Sequence, residues 1–378
     1  MQLADLPQSS IQQAGHPAGI RLCVPSVAGR GAGLGNEFYP WAKAWLAAQA
    51  IGGIALPPAF GMNPRQYWRY FGTSRLDWIS HRVLLQTLPR YTFTEQDYLS
   101  TGEHDFRKAV AVFAERLGWN EKRLFALEVG GMWGGFLAVR EARDFILARL
   151  YAARGTAENL TDWRMRLDPG RLVVAVHIRA GDFKAANENI DYRGCFNRSL
   201  PLDWYIAVCD QLRREFGNRV QFQLFTDGQP EALEPFIRRF SPVTGFHQRD
   251  SVCSDLLAMA NADLLVCSVS TFSLWGAFLS HAPYLWFAPQ LQEEQGMLSL
   301  WGHEAAQRPP AGATAQFRAR VAADSSACHP RGVPVSRQGE IPSDLLSRLE
   351  LGLNSRRTET DLALYGVVPL AGAAACDC

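Results

Sequence analysis

Three residues that could do chemistry follow one apolar run of the sequence. In LVVAVHIRAGDF (172–183), His177, Arg179 and Asp182 come after five apolar residues. Side chains alternate along a strand, so His177 and Arg179 project to the same side where the chain leaves the core. An arginine there presents a planar fork of N–H donors that suits two phosphate oxygens. The motif predicts an anion site, although a structural His177 and an Arg179–Asp182 ion pair explain the same residues.

Two further apolar runs also end in polar residues. VQFQLFTD (220–227) ends at Asp227, and DLLVCSVS (263–270) ends at Ser270, just before Thr271 and a predicted helix. Either hydroxyl can cap that helix, whose free amides and positive dipole end attract an anion. Ligands of open parallel sheets bind beyond the carboxyl ends of the strands. Arg179 and this helix start therefore predict a diphosphate site, with pure capping by Ser270 and Thr271 as the alternative.

The segments around these runs indicate an α/β protein. Helical patterns at 202–217 and 254–262 separate the three strands, which is typical of a parallel sheet covered on both faces. In the N-terminal half, IRLCVPSV (20–27) predicts a buried strand that leads through a glycine-rich turn into a helix from Phe38. The chain after that helix is predicted to be mostly helical. Its helices are expected at residues 77–88, 105–118 and 140–155.

The length of 378 residues predicts two domains of ordinary size. We expect an N-terminal extension and an N-terminal α/β domain, followed by a Rossmann-like domain that binds the ligand and an irregular segment with a late helix and tail. The expected bounds are 1–19, 20–168, 169–306 and 307–378, and the late helix is predicted at 342–353.

Composition excludes several classes of protein. The net charge is +1, so no overall field favours nucleic acid or an anionic membrane. The N-terminus does not read as a secretion signal, and no apolar run is long enough to span a bilayer, which leaves only peripheral membrane association. The eight cysteines lack zinc-like spacing and predict free thiols in a reducing cytosol. Asp-x-Asp is absent and no acidic or histidine cluster has ligand spacing, so we expect no metal.

The glycine-rich stretch GRGAGLGN (29–36) is a weak candidate for dinucleotide binding. Read from Gly29 or from Gly31, the third glycine of G-x-G-x-x-G falls on another residue. A P-loop lysine is also missing. The stretch instead predicts a turn whose backbone closely approaches another group, with Asn36 and Glu37 at a helix start.

Four motifs, in order along the chain, resemble the superfamily of α-1,2-, α-1,6- and protein O-fucosyltransferases. VHIRAGDF is similar to its His-x-Arg-Arg-x-Asp motif. SDLLAMANADLLVCSVSTFSLWGAFLS is similar to its second donor motif, in which an Asp precedes a Ser or Thr by sixteen residues, as Asp255 precedes Thr271. GAGLGNEFYPWAKAWLAA and LPLDWYIAVCDQLRREFGNRVQFQLFTDG resemble the N-terminal and intermediate segments. The matches span roughly residues 29–280.

The resemblance implies a GT-B-like fold, in which two Rossmann-like domains face a cleft and the second holds GDP-fucose. It implies inverting transfer without a metal, to a glycan or glycoconjugate hydroxyl. Arg179 would then bind the β-phosphate, His177 and Asp255 would lie near the guanine or ribose, and Gly35 and Asn36 would approach the sugar. The diphosphate and the rest of the donor would meet Asp227, Ser270, Thr271 and Phe272. Asp182 is the first candidate for the base, before Glu37 and Glu188, although it could equally anchor its loop.

Departures from the motifs leave alternatives open. Ala180 replaces the second arginine, Leu274 replaces a tryptophan, and Gly228 stands where a second Asp is common. The alternatives are a transferase that uses another nucleotide sugar, a metal-dependent transferase, and a binding protein that has lost catalysis. Acceptor choice is expected to reside in residues 55–165. A bacterial-type enzyme in the cytoplasm or at the inner face of the membrane fits best.

Overall fold

Two parallel β-sheets form the framework of the protein, seen here in a computed structural model. The structure describes residues 20–26, 32–58, 60, 63–103, 105–119, 124–186, 191–192, 198–268, 270–290, 293–294, 297–298 and 331–364. The predicted extension 1–19, the base candidate Glu188 and most of the irregular segment that was expected from 307 onward lie outside these residues.

The first sheet has four strands in the order β2–β1–β4–β3, all parallel. Its strands are β1 (Ile20–Ser26), β2 (Ile54–Ala55), β3 (Arg90–Phe93) and β4 (Leu124–Gly130). The prediction of β1 is confirmed. The following region is mostly helical, as predicted, but its three strands were not predicted, because two of them are very short and the apolar run of β4 lacks a clear period of two.

Helices surround this first sheet, and three of them confirm predicted segments. The helices are α1 (Leu34–Ile51), α2 (Trp68–Phe71), α3 (Arg75–Thr87), α4 (Glu95–Ser100), α5 (Phe106–Arg116), α6 (Gly135–Ala138), α7 (Arg143–Tyr151) and α8 (Thr156–Arg166). Helix α1 begins at Leu34 and not at Phe38, so Gly35 and Asn36 belong to its first turn. It is buried on nearly all sides, which explains its apolar composition around the whole circumference.

The second sheet has six parallel strands in the order β12–β9–β8–β5–β6–β7. They are β5 (Leu172–Ile178), β6 (Val220–Thr226), β7 (Val243–Thr244), β8 (Leu264–Val266), β9 (Tyr284–Phe287) and β12 (Gly332–Val335); a separate hairpin holds β10 (Glu293–Glu294) and β11 (Met297–Leu298). The predicted strands 172–178, 220–227 and 263–270 are present, the last much shortened. The parallel α/β class is thereby confirmed.

Five helices accompany the second sheet. They are α9 (Leu202–Phe216), α10 (Glu234–Phe240), α11 (Val252–Ala260), α12 (Thr271–Leu279) and α13 (Ser343–Leu364). Strand β12 and the buried leucines of α13, Leu345, Leu349 and Leu353, belong to the core of this sheet. The second sheet therefore extends beyond residue 306, where the second domain was expected to end, because β12 forms its edge strand.

The two halves are packed together through α12. Trp275 of this helix is fully buried against Phe38 and Tyr39 of α1 and against Phe136, with ring centroids 5.0–5.3 Å apart. Its indole N–H donates to the carbonyl of Gly35 at 2.7 Å. Aromatic rings from both halves thus form one continuous core, which holds the carboxyl ends of the two sheets in a fixed relation.

Candidate nucleotide site

A cavity of about 550 Å³ lies where the carboxyl ends of strands from the second sheet face the start of α1. Its volume falls within the usual range of small-molecule sites, roughly 300–1,000 Å³. Ten of the predicted site residues line it: Gly35, Asn36, His177, Arg179, Asp182, Asp227, Asp255, Ser270, Thr271 and Phe272. Residues that lie up to 237 positions apart in the sequence are therefore brought to one place, since Gly35 and Phe272 share the cavity.

Arg179 follows β5 and is held between two carboxylates. Its Nη1 lies 2.7 Å from Asp227 Oδ2, and its Nη2 contacts Asp182 Oδ1. The side chain is only 15% exposed. Its Nε is buried and has no hydrogen-bond partner among the described residues. The predicted ion pair with Asp182 is therefore present, and both terminal nitrogens of Arg179 contact carboxylates.

Asp227 fixes the loop that carries Arg179. One of its oxygens, Oδ1, accepts from the backbone N–H groups of Ala180 at 2.9 Å and Gly181 at 3.0 Å. The approach is so close that a Cβ on Gly181 would lie 2.5 Å from Asp227 Oδ2. The glycine of the Arg-Ala-Gly-Asp sequence is thus required for this contact.

Two departures from the fucosyltransferase motifs lie against each other. A Cβ placed on Gly228 would meet the Cβ of Ala180 at 2.8 Å. The motifs have an arginine and commonly a second Asp where this chain has Ala180 and Gly228, so the two departures lie next to each other.

Asp182 joins the two halves of the molecule. Its Oδ1 contacts Arg179, and its Oδ2 accepts from Arg65 Nη2 at 2.9 Å. Burial acts to raise the pKa of Asp182, but the two guanidinium groups outweigh it and hold this pKa below its ordinary value. A carboxylate with a lowered pKa and both oxygens engaged is a weak proton acceptor. Of the two roles open for Asp182, anchoring its loop matches this geometry.

Arg65 and Tyr67 are cavity residues that the sequence did not indicate. Both come from the short segment before α2 in the first half. The Tyr67 hydroxyl accepts from the backbone N–H of Leu34 at 2.9 Å, which fixes the segment to the start of α1. In the sequence, Arg65 and Tyr67 belong to the cluster Asn-Pro-Arg-Gln-Tyr (63–67), which indicates a turn that contains a cation. Because the cluster has no helical or strand periodicity, it does not indicate where the turn lies in the fold.

His177 is buried at the end of β5. Burial lowers the pKa of His177 to about 4, with a smaller contribution in the same direction from Arg179 and an opposing one from Asp227. The imidazole is therefore neutral at ordinary pH. Its Nδ1 lies 2.9 Å from Ser268 Oγ, and its ring lies against Phe272 with centroids 5.6 Å apart. The residue is a rigid wall of the cavity that can hydrogen-bond without carrying charge.

Asp255 is a buried carboxylate in the wall of the cavity. Burial raises the pKa of Asp255 from 3.8 to about 7, and the hydrogen bond from Ser251 acts against this shift. Ser251 Oγ donates to its Oδ2 at 2.8 Å. A carboxylate taken out of water in this way gains strongly from ligand N–H or O–H donors.

The start of α12 meets the start of α1 at the cavity. Ser270 is the N-cap of α12, and its Oγ accepts from the N–H of Phe272 at 3.2 Å, which is the capping role expected for it. Thr271 Oγ1 donates to Asn36 Oδ1 at 2.7 Å. A Cβ on Gly35 would lie 2.8 Å from Thr271 Oγ1, so the predicted close approach of the glycine-rich backbone is real.

Glu37 does not belong to the cavity. It is 1% exposed within α1 and is absent from the cavity lining, which includes its neighbour Asn36. Successive residues of a helix point about 100° apart, so a side chain that follows Asn36 turns toward the core. Glu37, which was expected to be a candidate for the catalytic base, is therefore a buried residue outside the cavity lining.

Within the described ranges, no group of three or more His, Cys, Asp or Glu side chains is placed to hold a metal ion. No helix in the described part of the chain is both long and apolar enough to cross a bilayer. The four described cysteines, Cys23, Cys209, Cys253 and Cys267, are buried free thiols.

Comparison with known proteins gives similarity in structure alone. No protein-family model matches the sequence, and no curated protein matches it either. Among solved structures, POFUT1 in complex with GDP-fucose aligns with a TM-score of 0.42 and 14% identity over 72% of this chain and 99% of POFUT1. The NodZ alpha-1,6-fucosyltransferase soaked with GDP-fucose aligns with a TM-score of 0.40 and 13% identity over 70% of this chain and 93% of NodZ. Fucosyltransferases are thus among the structures to which the chain is similar, as its motifs predict.

Proposed function

We propose that the protein is a metal-independent inverting glycosyltransferase that moves fucose from GDP-fucose to a hydroxyl of a glycan acceptor. One observation carries this proposal: Arg179, the N-terminus of α12 and the buried Asp255 converge on a single cavity. A guanidinium and free helix amides suit a diphosphate. A buried carboxylate suits the paired N–H donors of a guanine edge, and the motifs that supply these residues resemble fucosyltransferase motifs.

The cavity residues have definite tasks in this reaction. The bond between the anomeric carbon and the β-phosphate oxygen breaks, its electron pair leaves with GDP, and the acceptor oxygen attacks from the opposite face of the sugar. Negative charge grows on the leaving diphosphate, where Arg179 and the α12 amides stabilise it more in the transition state than in the ground state. The acceptor proton passes to water once the anomeric bond is largely broken, so a strong base is not required.

The charges of the cavity impose one condition on this proposal. Two arginines, Arg65 and Arg179, face three aspartates, Asp182, Asp227 and Asp255, in its lining. A diphosphate that reaches Arg179 must therefore replace a carboxylate. Asp227 is fixed by two backbone N–H groups, whereas the Asp182 side chain is 54% exposed. We infer that Asp182 yields its place on Arg179 and that Arg65 supplies the second guanidinium.

A nucleotide-binding protein without catalysis is the second candidate. The observation that favours it is the neutralisation of Arg179 by two carboxylates. Turnover of GDP-fucose distinguishes the two functions.

Calorimetric titration of GDP, GDP-fucose and GDP-mannose in the presence of EDTA tests the proposal. We expect GDP and GDP-fucose to bind, GDP-mannose to bind more weakly, and Arg179→Ala to lose at least about tenfold in affinity, the scale of one charge-assisted contact. Arg238→Ala is the matched control, since Arg238 is 79% exposed and remote from the cavity lining. The absence of GDP binding would refute a nucleotide site, and equal affinity for both sugars would refute the choice of fucose.

A further inference from the structure

A second cavity, of about 770 Å³, lies beside the segment that closes the nucleotide cavity. Tyr67, the N-cap of α2, lines the nucleotide cavity, whereas Arg69, Tyr70 and Phe71 of α2 line the second one. Helices α1 and α7 supply the rest of its aromatic and basic wall. We name it the aromatic–arginine groove, after Trp45, Tyr70, Phe145, Arg69, Arg149 and Arg154.

The groove has a strong bias toward positive charge. Arg69, Arg149 and Arg154 line it, and no Asp or Glu belongs to its described lining. Arg154 is 72% exposed, and its Nε lies 3.8 Å from Asp250, which is too long for a hydrogen bond. No carboxylate of the groove's described lining faces Arg69 or Arg149, and Arg154 has only a long ion pair with Asp250. The groove therefore favours an anionic occupant, and the forked N–H donors suit carboxylate or phosphate oxygens in particular.

The aromatic part of the groove is a fixed wall. Trp45 and Phe145 are stacked with ring centroids 4.9 Å apart and planes within 12° of each other. Trp41 meets Phe145 edge-on at 5.8 Å from behind, and Arg149 lies over the Phe145 ring at 5.2 Å. Flat apolar faces beside charged donors are suited to a ligand with both C–H faces and acidic groups.

We propose that the aromatic–arginine groove binds an acidic saccharide, a sugar chain that carries carboxylate groups. Pyranose rings offer C–H faces to the aromatic wall, and their uronate carboxylates accept from the arginines. The identification of this saccharide as the anionic part of the acceptor rests on the proposed function. The proposal that the saccharide binds to the groove does not depend on the proposed function.

The position of Tyr70 links the groove to the nucleotide cavity. Burial raises the pKa of the Tyr70 phenol to about 12, and the nearby Asp250 and Asp255 act in the same direction. Asp255 itself lines the nucleotide cavity. Tyr70 lines the groove, and Tyr67 at the N-cap of the same helix lines the nucleotide cavity, so one short helix borders both cavities.

The test compares an acidic with a neutral oligosaccharide of equal length. Hexagalacturonate and maltohexaose are titrated into the full chain by calorimetry at two salt concentrations. We expect hexagalacturonate to bind at least about tenfold more tightly and to weaken as salt rises, because the contacts are between charges near the surface. The double variant Arg149→Gln/Arg154→Gln should lose about tenfold or more in affinity for it, and the control Arg238→Gln less than about twofold.

Three results would overturn the groove as a saccharide site. They are equal binding of the acidic and neutral probes, an unchanged affinity in the double variant, and displacement of hexagalacturonate by inorganic phosphate at matched ionic strength, which would indicate a plain anion site. GDP is titrated into the same samples and should bind the double variant as it binds the wild type. If the wild type binds hexagalacturonate as expected but not GDP, the proposed function falls and the groove stands.

Discussion

The two sheets bring different chemistry to one cavity. The second sheet supplies side chains: Arg179 follows β5, Asp227 follows β6, and Ser270 and Thr271 follow β8. The first half supplies close backbone at Gly35, the side-chain oxygen of Asn36 and a clamp by Arg65. The second sheet thus supplies most of the groups that can bind an anion, and the first half supplies one guanidinium together with the shape and closure of the cavity.

Removal of Arg179 is the strongest test of this division. We expect Arg179→Ala to lower the rate of fucose transfer about a hundredfold or more, or about 2.7 kcal/mol, because a preorganised charge at the leaving group is lost. Arg179→Lys should recover only part of the rate, since a point charge cannot reproduce the fork. Release of GDP from GDP-fucose, with a panel of oligosaccharide acceptors, measures the effect.

The same experiment needs a control for folding. Arg179→Ala leaves Asp182 and Asp227 without their shared cation, so its melting temperature must be compared with that of the wild type. Arg238→Ala should retain the full rate. Near wild-type turnover in a folded Arg179→Ala protein would contradict the assignment of binding strength to the second sheet.

The backbone contribution of the first half is tested by two glycines of the same turn. Gly35→Ser places a Cβ about 2.8 Å from Thr271 Oγ1, whereas a Cβ on Gly33 meets nothing within 4 Å. We expect Gly35→Ser to lower the free energy of unfolding by roughly 1–3 kcal/mol, as overpacking usually does. Gly33→Ser should be neutral or gain a few tenths of a kcal/mol, because Gly33 is the N-cap of α1 and serine caps well.

Denaturant unfolding of both variants distinguishes packing from helix propensity. Serine is the better helix former at either position, so propensity alone would stabilise Gly35→Ser. Similar stability of the two variants would show that the halves are not packed tightly at Gly35 and Thr271.

The division between the halves also explains what the sequence could predict. Arg179, Asp227 and Thr271 follow apolar runs directly, and the rule that parallel strands present their carboxyl ends together assembled them without coordinates. Arg65 could not be found in this way, because its contact with Asp182 spans 117 positions and no strand precedes it. The strands β3 and β4 were missed for a different reason: β3 has only four residues, too few to establish a period, and the apolar run of the seven-residue β4 lacks a clear period of two.

The pH dependence of GDP affinity tests the proposed contact between the Asp255 carboxylate and the guanine ring. Burial raises the pKa of Asp255 to about 7, and only the ionised carboxylate accepts two N–H donors. We expect GDP affinity to rise about tenfold from pH 6 to pH 8, and this dependence to disappear in Asp255→Asn. The stability of the folded protein depends on pH in the opposite direction. Because folding raises the pKa of Asp255, this group contributes stability at pH values below its pKa in the unfolded chain, and that contribution is lost as the pH rises through about 7. Titrations at matched ionic strength measure the binding, and a flat profile in the wild type would refute the contact.

The smallest expected effect is the change in GDP affinity on substitution of Asp182. The direction of this change distinguishes an anchoring role of Asp182 from a role as catalytic base. If Asp182 is an anchor that a diphosphate replaces on Arg179, Asp182→Asn removes a competing charge and should tighten GDP binding by about two- to fivefold, the worth of one exposed ion pair. If Asp182 is the catalytic base, GDP affinity should stay constant while the rate of transfer falls by about a hundredfold or more, the usual share of a general base. Its lowered pKa and its bond to Arg65 favour the first outcome. Measurement of both GDP affinity and transfer rate in Asp182→Asn distinguishes the two roles. Arg65→Gln is the companion variant, because it removes the guanidinium of Arg65 from Asp182 and leaves the charge of Asp182 in place.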